Sequence, residues 1–129
     1  MKFDCDELSR IVRAEEDFDE LGMLPVGFLD DFSGYFRGLI VCFRGAGNVR
    51  ESELLDDEIR SVRTMFFGLM DRRRAKIIGL AIVENVDKRK SVGCMLPCEY
   101  ELYNIVCLAR GKNELVVNNI VDSAYERRV

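Results

Sequence analysis

The chain contains no histidine and no tryptophan. The missing histidine removes the commonest general base, proton shuttle and neutral metal ligand together. Only 2 prolines stand among 129 residues, and hydrophobic residues make up 48%. That composition excludes a disordered or linker-like chain. No apolar run approaches the roughly 18 residues of a membrane span; the best, Gly38 to Phe43, is far shorter. The opening Met1-Lys2-Phe3-Asp4-Cys5-Asp6 lacks the charged-then-apolar order of a secretory signal. A basic excess is missing too: 23 acidic residues face 19 basic ones, for a net charge of −4, whereas a domain built to hold nucleic acid usually has a pI above about 9. No strong direct nucleic-acid binding is expected.

Catalytic and cofactor motifs are equally scarce. Gly45-x-Gly47 has neither the dinucleotide-binding spacing nor the Lys-Ser/Thr of a phosphate loop. No serine sits in a nucleophile elbow. Cys94 and Cys98 are the only close pair of the five cysteines, Cys5, Cys42, Cys94, Cys98 and Cys107. One C-x3-C without a second pair or a histidine is a poor zinc site. An odd, irregular set without a signal reads as reduced cytosolic thiols, with Cys42 and Cys107 on apolar faces as core thiols. Neither enzyme activity, cofactor nor metal is expected.

What the chain has is helical periodicity, in a length suited to one core. Asp4 or Asp6 can cap a first helix running to about Glu16, with Leu8, Ile11 and Val12 on its apolar side. A second helix is expected from Pro25, carrying Phe28, Leu29, Phe32, Tyr35, Phe36, Leu39, Ile40 and Phe43 on one broad face. Gly45 to Asn48 breaks it. Ser52 is the expected N-cap of the longest helix, with Glu53 and Asp56 in its first turn. Its seam passes through Leu55, Ile59, Val62, Phe66, Leu69, Arg73, Lys76, Leu80 and Val83 toward Asn85, roughly 50 Å of helix. The acidic groups Asp30-Asp31 and Asp56-Asp57-Glu58 are read as helix-start residues favoured by the dipole.

Val86 to Cys94 is expected as a charged loop. Pro97 starts a fourth helix through Ala109, which Gly111 stops or bends, and Leu115 to Ala124 forms a fifth. The expectation is therefore an all-α bundle of four to five helices with one long central helix. Arg73 and Lys76 stand where the seam asks for apolar residues. Either their stems cover the core while their heads reach water, or they are buried and paired with carboxylates. Lys88, Arg89 and Lys90 form a compact basic loop, a solvated surface or a contact for a phosphate or an acidic partner.

Three segments in order carry a resemblance. Glu7 to Glu15 is an acidic, arginine-containing helix leading to Leu24-Pro25-Val26-Gly27-Phe28. Arg73-Arg74-Ala75-Lys76-Ile77-Ile78-Gly79-Leu80-Ala81 follows, and then Leu96-Pro97-x-Glu99-x-Glu101-Leu102-Tyr103. The order resembles the helical domain of an archaeal GINS subunit, of the class in which that domain precedes a small β domain. The middle segment is similar to its R-x-x-K-I-x-x-x-A motif, and Pro97 stands where the family usually has threonine. The resemblance implies a helical domain over residues 1–122 and a tail or start of a linker over 123–129, with too little chain after Ala124 for the β domain. It implies a non-enzymatic scaffold at replication forks in the cytoplasm, associated with the nucleoid. Its partners would be other GINS-like subunits in a homo- or hetero-tetramer, the MCM helicase, a RecJ-like protein and a primase or polymerase. Leu24, Pro25, Phe28, Phe32, Phe36, Phe66, Leu69, Arg73, Lys76 and Ile77 would be structural or assembly positions. Lys88, Arg89 and Lys90 are the candidate partner contact. The alternative is an unrelated helical adaptor.

Overall fold

Of the two candidate caps, Asp4 opens the first helix, its side chain accepting the Glu7 N–H at 2.9 Å, and Asp6 lies in the first turn. In the computed structural model, which describes residues 2–126, α1 (Cys5–Asp17) is followed by α2 (Phe28–Arg44), α3 (Val49–Ile82), α4 (Arg89–Gly93) and α5 (Pro97–Glu126). The protein is all-α, with five helices and no strand among the described residues. At about 1.5 Å per residue, the 34 residues of α3 make it the long helix that the seam predicts.

The structure moves several boundaries. α2 begins at Phe28 rather than Pro25, because Gly27 takes a left-handed conformation at φ 72° that a helix interior does not tolerate. Pro25 instead begins a turn closed by the Phe28 N–H on its carbonyl at 3.1 Å. α3 begins at Val49 rather than after Ser52. Its cap is Asn48, whose Oδ1 accepts the Glu51 N–H at 2.8 Å, while Glu51 reaches back to the Gly47 N–H at 3.3 Å. This is a capping box one residue out of register. Asp56 to Glu58 consequently lie inside α3, not in its first turn. Asp56 pairs with Arg60 at 3.0 Å, and Glu58 accepts from the Tyr35 hydroxyl at 3.3 Å. Burial and then the Glu58 charge raise the Tyr35 phenol above its ordinary range.

Asn48→Ala should therefore lower stability by about 1 kcal/mol. Ser52→Ala should stay within about 0.5 kcal/mol of wild type. Thermal melts of the two variants decide which residue is the cap.

Between α3 and α5, Asn85 takes positive φ at 62° and the short α4 occupies part of the segment expected as loop. The expected fourth and fifth helices are one. Gly111 costs about 1 kcal/mol of propensity, but nothing approaches its Cβ position within 4 Å, and α5 runs straight through it to Glu126. Ser123 to Glu126 are thus helical, and 127–129 lie outside the described residues. Cys94 is buried, Cys5 and Cys107 are half-buried, Cys98 is exposed, and Cys42, expected in the core, is exposed as well.

The chain forms two compact units, Met1–Arg73 and Arg74–Val129, dividing within α3. The first holds α1, α2 and the larger part of α3. Its core is Leu8, Leu21, Leu24, Phe28, Phe32, Leu39, Val62 and Leu69. Phe66 stacks on Phe32 with ring centroids 4.0 Å apart, and Phe36 lies 5.7 Å from the same ring. Phe3, ahead of α1, packs its edge against Phe28 at 5.9 Å. Aromatic pairs at such distances contribute beyond their buried area, and they account for the heavy apolar load on α2. The second unit buries Ile77 and Ala81 of α3, Cys94 and Glu99. Glu99 accepts the Leu96 N–H at 2.9 Å, so the acidic half of a capping box opens α5 with Pro97 in its first turn.

Candidate functional site

The first unit is organised around an ion pair. Arg73 is fully buried and Glu15 is 3% exposed, and Arg73 Nη1 lies 2.7 Å from Glu15 Oε1. The same nitrogen donates to the Gly22 carbonyl at 2.7 Å. Glu15 Oε2 accepts the Gly22 N–H at 3.0 Å. Both backbone groups of one residue are thus held by the two halves of the pair. The connection leading to Leu24-Pro25 is fastened to α1 and α3 at that point. Buried charges need this degree of satisfaction, because the cost of taking two ions out of water is offset only by good geometry and further hydrogen bonds.

Of the two readings of Arg73, buried and paired is what the structure shows. Lys76 is half-buried. Gly22 is the tight point: a Cβ there would come 3.1 Å from Glu15 Oε1. Glu15 cannot retreat without loosening Arg73. Gly22→Ala should therefore destabilise the first unit by about 1–3 kcal/mol, as overpacking does. A melting temperature unchanged from wild type would show that the carboxylate has room to yield.

The assembly candidates separate between the units. Leu24, Pro25, Phe28, Phe32, Phe36, Phe66, Leu69 and Arg73 all belong to the first. Pro25 is exposed there, Phe36 and Phe66 are half-buried, and the others are buried. Ile77 is buried in the second unit. The basic loop is dispersed by its own surroundings. Arg89 is bound to Asp87 through Nη2 at 3.0 Å and Nε at 3.1 Å, which holds the Asp87 carboxyl below its ordinary range. Lys88 places its ammonium 5.9 Å from the Tyr103 ring centroid, and Lys90 is exposed.

Sequence reasoning passed over Glu15, Gly22 and the surface of α5. Glu15 had a signal. It lies seven residues after Leu8 on the apolar side of α1, a polar residue in an apolar register. On α5, Leu102, Tyr103, Val106, Cys107 and Arg110 form a half-buried stripe at three-four spacing. The stripe continues through Val117, Ile120, Val121 and Ala124, yet every residue from Gly111 to Glu126 is exposed. Val117 and Val121 are each 49% exposed and Ile120 is 65% exposed. Where covered and uncovered stretches meet, Arg110 Nε and Nη1 are buried with no hydrogen-bond acceptor among the described residues. The nearest carboxylate oxygen, Glu114 Oε1, is 3.8 Å from Nε.

Among the described residues, no group of three or more His, Cys, Asp or Glu could hold a metal ion. No helix among the described residues is long and apolar enough to cross a membrane. Comparison with protein-family models, curated proteins and solved structures gives no match.

Proposed function

We propose that this chain is a non-enzymatic scaffold, a GINS-like helical subunit that assembles with other such subunits through the distal half of α5. The observation that carries the reading is the stripe of α5, covered up to Arg110 and open beyond it. A half-helix of 16 residues, Gly111 to Glu126, is near the limit of what holds in water by itself. Val116, Val117 and Val121 are weak helix formers, so this stretch needs a surface to lie against. Exposed apolar patches of this extent mark partner sites, and an acceptor from a covering chain would also satisfy Arg110.

The resemblance gives the scaffold its context. Two of its three segments meet at one point, where Arg73 binds Glu15 and the Gly22 carbonyl just ahead of Leu24-Pro25. Such a node gives a structural reason for those residue types to occur together. On this reading the assembly is a homo- or hetero-tetramer. It links the MCM helicase to a RecJ-like protein and to a primase or polymerase, in the cytoplasm at replication forks, without strong nucleic-acid binding of its own. The test is light scattering on the purified chain with and without GINS-like subunits, followed by capture of MCM. Mixed assemblies that retain MCM support the reading. Assembly with no MCM or GINS-like partner would favour a helical adaptor of another kind, which the open stripe fits equally.

A further inference from the structure

A second surface lies in the first unit, on the side of α1 that faces the connection to α2. There a groove of about 390 Å³ runs between the helix and the chain from Phe18 to Pro25. Ile11, Ala14, Leu24 and Pro25 give it an apolar floor, and Phe18 and Met23 stand at its edges, 68% and 72% exposed. Its polar groups are committed elsewhere. Glu15 is held by Arg73 and Gly22, and Glu7 forms an ion pair with Arg10. A small polar ligand needs several convergent free donors or acceptors, and this groove does not supply them. Its volume suits one or two large apolar side chains.

The charge around it is acidic on balance. From Glu7 to Pro25, the stretch that forms it, there are six carboxylates and two cations; α3 adds Arg73 on Glu15 and Arg72, which donates to the Glu16 carbonyl at 3.4 Å, and Glu16, Asp17, Asp19 and Glu20 bracket the exposed Phe18. An apolar slot within a negative field suits an amphipathic helix laid in with its apolar face down and its cations outward. We propose that the α1 groove docks a basic amphipathic helix from another protein, one large apolar side chain seated between Ile11, Phe18 and Met23. The inference rests on the first unit's own geometry and stands apart from assembly through α5.

The test is fluorescence anisotropy on the full chain. The probes are labelled Leu/Lys and Leu/Glu amphipathic peptides of matched length and helicity. The Leu/Lys peptide should bind and the Leu/Glu peptide should not. Raising salt from about 50 to about 500 mM should weaken binding at least about tenfold, because exposed charges are then screened. Met23→Lys and Phe18→Ser, both at exposed positions, should each weaken it about tenfold or more, while Ile120→Asp on α5 leaves it unchanged. Equal binding of both peptides overturns the proposal. So does undiminished binding by Met23→Lys and Phe18→Ser, which would show general attraction to an acidic chain, and so does loss of binding in Ile120→Asp.

Discussion

Arg73→Ala should lower the unfolding free energy by about 3–5 kcal/mol, the cost of removing one partner from a buried pair. The substitution takes the cation away from Glu15, which is 3% exposed and also accepts the Gly22 N–H, and it strips the Gly22 carbonyl of that donor. The loss is large because the same guanidinium nitrogen also holds a backbone carbonyl. In urea, with a slope of about 1–3 kcal/mol per molar, the midpoint should fall by about 1 M or more. Replacing both partners, Arg73→Met with Glu15→Leu, should recover a large part of the loss, since no charge is then stranded. Recovery should be incomplete, because both Gly22 backbone groups lose their side-chain partners. Arg89→Ala is the control: its guanidinium is almost fully exposed, and the change should stay within about 0.5 kcal/mol. Equal effects of Arg73→Ala and Arg89→Ala would show that the buried pair contributes nothing net.

The pair also shows how far the sequence could be read. Arg73 was visible as a cation breaking an apolar seam, but its partner lies 58 positions earlier. Nothing in local spacing selects Glu15 from the other carboxylates on α1. The long helix was legible because its three-four pattern contains no proline. Its start was misplaced because Asn48 looked like the end of a glycine-rich break, when it was the first half of a capping box. Gly111 misled in the other direction: a penalty of about 1 kcal/mol is too small to end a helix whose neighbours on both sides favour it. Gly27 did bound one, setting the start of α2 at Phe28, because positive φ, unlike propensity, is not negotiable within a helix. The groove beside α1 was not legible at all. It arises from how the connection folds back, and that depends on the grip of Arg73 and Glu15 on Gly22.

Ile120→Asp should raise the dissociation constant of the assembly roughly 30- to 1,000-fold. A central apolar anchor contributes about 2–4 kcal/mol to an interface, and each 1.4 kcal/mol is tenfold. Ile120 lies near the middle of the uncovered stripe, with Val117 one turn before it and Ala124 one turn after. A carboxylate there would face apolar side chains of a partner without a cation to meet it. Asn119→Asp adds the same charge on the opposite side of the same helix and should leave association within about threefold of wild type, an offset of about 0.6 kcal/mol. Association should also be coupled to helix content. Distal to Arg110, every described residue of α5 is exposed, so dilution should fray it, and far-UV helicity should fall as sedimentation shows dissociation. Ile120→Asp should look like the diluted wild type at every concentration, while the first unit melts as before. If helicity and sedimentation of the wild type do not change with concentration or with added GINS-like subunits, the open stripe is not an assembly surface. If they change but Ile120→Asp matches Asn119→Asp, assembly runs through another face.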